Sequence, residues 1–159
     1  LGGNKPQEAR DHFHGLREAK ADLVGFALFD RLDKELHSGS QLSESMWTRR
    51  EIENYLVTPQ SLRRFVQLDL RDNDLVDDAE RRRRLEALAG CVEQLEAALR
   101  VARRPDPWGP DAKVTDEFLD PLFGNYFQRL GTPQQIYKRD YHALADAIEI
   151  DAIDSEVVS

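Results

Sequence analysis

The stretch LVGFALFD, residues 23–30, decides the predicted fold. Its apolar and small residues run without interruption from Leu23 to Phe29 and end at Asp30. A strand covered on both faces, as in the parallel sheet of an α/β protein, has this composition. Ligands bind beyond the carboxyl ends of the strands in open α/β sheets, so Asp30 stands at a position typical of a binding site.

Loop and helix patterns surround this strand. Residues 34–43, centred on Ser-Gly-Ser, predict a loop, and residues 46–48 (Met-Trp-Thr) predict a second short strand. A helical turn is predicted over residues 51–57. Longer helices are predicted at 6–21, 59–70, 75–103, 116–129 and 139–148, with residues 72–74 capping the longest.

The front third of the chain therefore mixes strand and helix, and the remainder is helical. We predict a helix-rich α/β fold class, with a partial parallel sheet of few strands and a C-terminal helical extension. The sheet is expected within residues 1–70 and the extension within residues 71–159, together forming one compact domain. Because Leu1 is not an initiator methionine, we expect the chain to be a piece of a longer protein.

Composition narrows the function classes. No apolar run approaches the roughly 20 residues that cross a bilayer, and no signal-peptide pattern is present, so a cytoplasmic protein without a membrane partner is expected. Cys91 is the sole cysteine, which excludes an internal disulfide and a multi-thiolate zinc site; we expect it to be buried. The net charge of −8 argues against binding nucleic acid over the whole surface, but it allows a local basic groove.

Two pairs of carboxylates are the candidate metal ligands. Asp30 and Asp33 at the strand end suit a hard divalent cation, which prefers oxygen ligands; alternatively, Asp30 caps the next turn and Asp33 is solvated. Glu51 and Glu53 share one side if their backbone is extended and diverge if it is helical. The alternative for this second pair is a charged helix start.

Two arginine clusters are the candidate phosphate contacts. Arg49 and Arg50 adjoin the glutamate pair and are the better candidates. The run of four arginines at residues 81–84 covers more than one helical turn, so all four cannot face one partner. An ion-paired surface is the favoured interpretation of that run, and contact with a DNA backbone is the alternative.

Three blocks of sequence resemble the C-terminal TOPRIM-type region of OLD-family and related ABC-type ATPases. GFALFDRLD, residues 25–33, is similar to the hydrophobic strand of that region, which ends in Asp-Arg-Asp. WTRREIENYLVTPQSL, residues 47–62, contains the Arg-Glu-Ile-Glu-Asn-Tyr-Leu block that follows. IYKRDYHALADAI, residues 136–148, supplies the lysine that precedes the last helices, so the resemblance spans most of the chain.

The resemblance implies cleavage of DNA phosphodiesters with Mg²⁺ or Mn²⁺. In a two-metal site one cation activates water and the other stabilises the leaving oxygen. By position, Asp30 matches the first aspartate of the family's strand-end motif, Glu51 or Glu53 matches the acid of the second block, and Lys138 matches the lysine. Asp30, Glu51, Glu53 and Lys138 are therefore the predicted catalytic groups. The predicted metal ligands are Asp30, Asp33, Glu51 and Glu53, and the predicted DNA-phosphate contacts are Arg49 and Arg50.

Two departures limit what the resemblance implies. The strand-end motif is Asp-Arg-Leu-Asp, one residue longer than the family pattern, so Asp33 is expected to point away from the site. The family's first strand, which ends in a metal-binding glutamate, has no counterpart before residue 24. That strand and the ATPase domain are expected upstream of Leu1, and ATP binds only through that domain because this chain has no Gly-Lys-Ser/Thr phosphate loop.

These observations lead to two predicted functions. The first is the C-terminal part of an OLD-like ATPase that carries part of a nuclease site, with DNA and the upstream ATPase domain as partners. In isolation, this chain is expected to bind Mg²⁺ or Mn²⁺ weakly and not to cleave DNA. The alternative is a non-catalytic helical interaction module, derived from a degenerate TOPRIM domain, which docks a partner or forms a homodimer.

Overall fold

The computed structural model describes residues 4–37, 39–69 and 77–158, apart from the side chain of residue 69. The chain divides into two compact units, Leu1–Arg50 and Glu51–Ser159. The described residues form many helices and a small parallel sheet, which confirms the helix-rich α/β class. The predicted division into a TOPRIM-like segment over 1–70 and a helical extension over 71–159 stays a prediction.

The first unit contains helix α1 (Pro6–Ala19) and strands β1 (Gly25–Phe29) and β2 (Leu42–Met46). Helix α1 begins at a proline, which lacks an amide hydrogen that the first turn would leave unbonded anyway. In the described residues the sheet has two strands, which run parallel, with Gly25 opposite Leu42 and Phe29 opposite Met46. The predicted strand that leads to Asp30 is therefore confirmed.

Strand β1 is covered on one face only in the described structure. Phe13 of α1 is buried next to Gly25, whereas Val24, Phe26 and Leu28 are 72%, 68% and 43% exposed. Successive side chains of a strand point to opposite faces, so a single helix covers every second residue. The prediction that both faces are covered is wrong for this part of the chain.

Strand β2 lies earlier in the sequence than predicted. It occupies Leu42–Met46, within and after the predicted loop over 34–43, and Trp47 follows its last residue. The amide of Gly25 donates to the carbonyl of Gln41 (2.8 Å) and that of Trp47 to Phe29 (3.0 Å), so hydrogen bonds to β1 bracket the strand. The sequence LSESM is mostly polar and so resembles a loop. It forms a strand in which the buried carboxylate of Glu44 is neutralised by Arg10, a residue far away in the sequence, so no local pattern predicts it.

That buried carboxylate forms an ion pair with two hydrogen bonds in the first unit. Glu44, with its side chain 1% exposed, accepts two hydrogen bonds from the guanidinium of Arg10 on α1, at 2.6 and 2.7 Å. A third comes from the amide of His37 at 3.0 Å. A buried charge is tolerated when it is paired and hydrogen-bonded in this way.

The second unit contains the principal hydrophobic core. Its elements are a 3₁₀ helix (Ile52–Tyr55), α2 (Pro59–Asp69), α3 (Asp78–Val101), a π-helical turn (Thr115–Leu119) that continues into α4 (Asp120–Leu130), two 3₁₀ helices (Lys138–Ala147 and Ile150–Ala152) and α5 (Ser155–Val158). Phe118, Leu119, Leu122 and Phe123 are fully buried at its centre. Cys91 on α3 is 1% exposed within the same core, which confirms its predicted burial.

The helix predicted over 116–129 is confirmed and is continuous from Thr115 to Leu130. Pro121 is tolerated because it lies in the first turn of α4, directly after the wider π-helical turn. The segment predicted as a helix over 139–148 is helical but has 3₁₀ geometry.

The long helix α3 begins at Asp78, and the side chain of Asp77 caps it by accepting the amide of Glu80 at 2.8 Å. The predicted cap at 72–74 and the predicted helix start at residue 75 lie outside the described residues. Within the ranges that the structure describes, none of the helices combines the length and the apolar character that a membrane span requires.

Candidate functional site

The carboxyl ends of the two strands form the first part of the candidate site. Because β1 and β2 are parallel, residues 30–33 and 47–50 leave the sheet at one edge, which we call the carboxyl edge. The amide of Arg31 donates to the carbonyl of Arg50 (3.2 Å), and the Arg31 guanidinium donates to the carbonyl of Thr48 (2.9 Å). The acidic motif and the arginine pair of the sequence prediction are therefore tied together within the first unit.

Asp30 is held at this edge by a residue that sequence reasoning missed. The side chain of Asn4 accepts the amide of Asp30 at 2.9 Å and donates to its carboxylate at 2.5 Å. Asn4 precedes helix α1, and nothing in the local sequence connects it to the strand end. These bonds orient the Asp30 carboxylate, which is half-buried.

Asp33 lies at the same edge but is only loosely held. Its side chain is 94% exposed, and the nearest guanidinium nitrogen, on Arg50, lies 3.8 Å from its carboxylate. An ion pair this long and this exposed contributes little to stability. The structure therefore places Asp33 next to one of the predicted phosphate-binding arginines; Arg49, the other, is half-buried.

Glu51 begins the second unit and has a structural role. It is the N-cap of the 3₁₀ helix at Ile52–Tyr55: its amide donates to the side chain of Asn54 (2.8 Å), and its carboxylate accepts the amide of Asn54 in return. The same carboxylate accepts the amide of Thr115 at 3.0 Å. Both main-chain contacts occupy lone pairs of the carboxylate that a metal ion would otherwise use.

Glu53 lies inside the 3₁₀ turn. The backbone of Glu51 is extended (φ −140°, ψ 158°), and helical geometry begins at Ile52. An extended backbone over both residues would direct the two glutamates to one side, but the extended backbone ends before Glu53. The side chain of Glu53 is half-buried, and its carbonyl accepts the amides of Leu56 and Val57, each at 3.0 Å.

Lys138, the predicted cationic residue, begins the 3₁₀ helix Lys138–Ala147 and contacts the helix that binds Glu51. Its ammonium donates to the carboxylate of Asp116 at 2.8 Å, and Asp116 directly follows Thr115. The hydrogen bond to Asp116 raises the pKa of Lys138, and the negative charges of Asp120 and Glu51 raise it further. Lys138 in turn lowers the pKa of Asp116, so both groups are ionised at neutral pH.

The arginine run at residues 81–84 is at least partly ion-paired. Arg83 and Arg84 both donate to Glu80, at 2.6 and 2.8 Å. These two contacts lower the pKa of Glu80 to about 2. This geometry agrees with the favoured interpretation, an ion-paired surface.

The carboxyl edge fits a hard cation by donor type. Mg²⁺ usually takes one or two protein carboxylates and completes its shell with water and substrate phosphates, so the oriented Asp30 is a suitable ligand. Across the described ranges, no group of three or more His, Cys, Asp or Glu side chains is arranged to hold a metal ion. A cation at Asp30 would therefore depend on water or phosphate oxygens for the rest of its shell.

The predicted site residues fall into both compact units. Asp30, Asp33, Arg49 and Arg50 belong to the first unit, and Glu51, Glu53 and Lys138 belong to the second. The convergence of all these side chains on one centre stays a prediction. A comparison of the chain with protein-family models, curated proteins and solved structures gives no match.

Proposed function

We propose that the chain is the C-terminal, TOPRIM-type part of an OLD-like, ABC-type ATPase, and that it contributes to a Mg²⁺- or Mn²⁺-dependent site for cleaving DNA phosphodiesters. One observation carries the proposal: Asp30 follows a parallel strand directly at the carboxyl edge, tied to the segment that contains Arg49 and Arg50. That edge is where α/β sheets bind their ligands.

The residues of the carboxyl edge suit the two halves of a metal–phosphate site. Asp30 provides a cation ligand. The Arg50 side chain is 30% exposed, and among the described residues its ion pair is the 3.8 Å contact with Asp33, which leaves hydrogen-bonding capacity for a phosphate. A bound divalent cation would supply an activated water and stabilise the leaving oxygen. In the second unit, Lys138 would offset the charge that develops on the phosphate.

DNA and an upstream ATPase domain are the partners in this proposal. ATP acts through that domain, because no phosphate loop occurs in the chain. The chain alone offers few carboxylates to one cation, so its own affinity for Mg²⁺ or Mn²⁺ is expected to be weak. Cleavage is a property of the longer protein.

Manganese binding tests the proposal. We expect weak Mn²⁺ binding by the wild-type chain, measured by calorimetry and by water-proton relaxation, and a loss of that binding in Asp30→Asn. Asp22→Asn is the matched control, since it removes an exposed aspartate charge from the same unit. Equal binding by the wild type and Asp30→Asn would overturn the assignment of the site.

A second candidate function is a non-catalytic helical interaction module that docks a partner or dimerises. The two main-chain contacts of the Glu51 carboxylate favour it, because they give this acid a structural task that needs no metal. Paramagnetic broadening separates the two candidates. If Mn²⁺ broadens the amide signals of both Asp30 and Glu51, the carboxylates share a centre. Broadening of neither, together with a concentration-dependent dimer in sedimentation, would favour the module.

A further inference from the structure

The helix that begins at Thr115 binds two residues of the proposed site through neighbouring positions. The amide of Thr115 donates to the carboxylate of Glu51 at 3.0 Å, and the side chain of the next residue, Asp116, accepts the ammonium of Lys138 at 2.8 Å. Glu51 and Lys138 are far apart in the sequence. One helix start therefore brings the acid and the cation to the same end of the second unit.

A buried contact one turn further on holds the segment that contains Lys138. Tyr141 is 1% exposed, its ring stacks on Phe123 with 5.7 Å between centroids, and its hydroxyl donates to Asp120 at 2.5 Å. Asp116 and Asp120 are four residues apart, and Lys138 and Tyr141 are three apart, so the two contacts follow successive turns of both helices. The buried tyrosine anchors the main chain near Lys138. A second contact is needed only to hold the lysine side chain in position.

The contact between Lys138 and Asp116 is poorly suited to stabilising the fold. The side chains of Lys138 and Asp116 are 62% and 52% exposed, and ion pairs this open to solvent add little stability. The same exposure leaves the ammonium accessible to an anion from solution. A lysine has three donors, so one bond to a carboxylate leaves two for a phosphate.

We infer that Asp116 is a positioning residue for Lys138: it holds the lysine ammonium beside the start of the helix that binds Glu51. There the ammonium contacts a DNA phosphate. This inference rests on the proposed function, in which Lys138 acts on phosphate. Asp116 itself touches neither the metal nor the substrate. Sequence reasoning missed it because the spacing between Asp116 and Lys138 has no local pattern.

The direction in which DNA affinity changes when Asp116 loses its charge distinguishes a positioning role from simple charge neutralisation. On a chain with a net charge of −8, removing a negative charge generally strengthens binding to a polyanion. If Asp116 positions Lys138, Asp116→Asn instead weakens binding to a random-sequence DNA duplex, as Lys138→Gln does, by about threefold. The slope of log affinity against log salt concentration falls by about 1 in both variants, because one phosphate contact is lost.

Asp146→Asn is the matched control, since it removes an exposed aspartate charge from the 3₁₀ helix that contains Lys138. Its DNA affinity should equal or exceed that of the wild type, and Asp116→Glu should recover part of the loss. Tighter DNA binding by Asp116→Asn, or an unchanged salt slope, would overturn the inference.

A spectroscopic measurement keeps the inference separate from the proposed function. With ¹³C-labelled lysine, Asp116→Asn should shift the Lys138 side-chain signal and lower its titration midpoint, whereas Asp146→Asn should change neither. If the wild-type chain binds no DNA, the proposed role of Lys138 fails, and this signal alone decides whether Asp116 holds the lysine. An unchanged Lys138 signal in Asp116→Asn would show that Asp116 does not.

Discussion

At the scale of single residues, Asn54 shows how a residue of the candidate block acts as a structural connector. Its side chain is buried, donates to the carbonyls of Gly109 and Ala112 at 3.1 Å each, and accepts the amide of Glu51. A short side chain that both donates and accepts satisfies three main-chain groups at once. The asparagine of the REIENYL block therefore has a structural explanation that needs no ligand.

Truncating this side chain should be costly. We expect Asn54→Ala to lower the free energy of unfolding by about 2 kcal/mol or more, because it leaves buried main-chain groups without partners. Urea denaturation at neutral pH measures the change. Asn125→Ala, at an exposed helical position, is the control and should leave stability nearly unchanged. A similar stability for both variants would contradict the structural role of Asn54.

Glu44 makes stability depend on pH. The hydrogen bonds from Arg10 lower the pKa of Glu44 below its ordinary value of 4.5. The folded state binds this proton less readily than the unfolded state does, so the stabilisation is present above about pH 4.5 and is lost as the pH falls through the lower folded-state value. Glu44→Gln should therefore be less stable than the wild type at pH 7.

The difference in stability between Glu44→Gln and the wild type should shrink as the pH is lowered below 4.5. Denaturant midpoints recorded between pH 7 and pH 2 measure it. Glu80→Gln is a useful comparison because Glu80 also has a lowered pKa, but it lies on the surface of α3 and is not buried. A Glu44→Gln difference that stays constant across this range would contradict the ion pair.

At the scale of elements, the contact between α1 and β1 depends on a missing side chain. A Cβ atom added at Gly25 would lie 2.9 Å from two ring carbons of Phe13 and 3.2 Å from the side chain of Leu42. Phe13 is itself buried, so it has little freedom to move away. The glycine in the GFALF strand is therefore explained by close packing of the helix on the sheet.

Two glycine-to-alanine substitutions should have opposite effects on this unit. Gly25→Ala should destabilise it by about 1–2 kcal/mol through overpacking. Gly15→Ala, at an exposed position of α1 with open space around it, should stabilise it by about 0.5–1 kcal/mol, because alanine favours the helix. Thermal denaturation followed by circular dichroism compares them. A gain in stability from Gly25→Ala would refute the packing of α1 on β1.

At the scale of the whole molecule, the two compact units differ in how much core they contain. The principal buried cluster, which includes Val57, Cys91, Phe118 and Leu144, lies entirely within Glu51–Ser159. The first unit has a two-stranded sheet and one described helix. Sheets of this size bury too little apolar surface to be stable alone.

Expressing the units separately tests this difference. Residues 51–159 should unfold cooperatively with heat, because their core is complete within the unit. Residues 1–50 alone should show no cooperative transition. Calorimetry of both pieces measures this. A cooperative transition for residues 1–50, or its absence for residues 51–159, would contradict the assignment of the core.

The sequence by itself determined the elements whose burial follows a local period. The apolar run predicted strand β1 with Asp30 at its end, and the spacing of apolar residues predicted the helices of the second unit, including the central one that ends at Leu130. These predictions succeeded because a strand or helix that buries one face repeats its apolar residues at a fixed interval.

Only the tertiary structure decided which partners the polar side chains contact. Strand β2 has the polar sequence LSESM and buries Glu44, which Arg10 neutralises, and Asp30 is oriented by Asn4 from the start of the chain. Glu51 and Lys138 are linked through the helix start at Thr115 and Asp116. Such pairings join residues distant in sequence, and a polar side chain carries no local signal of the partner that it will meet.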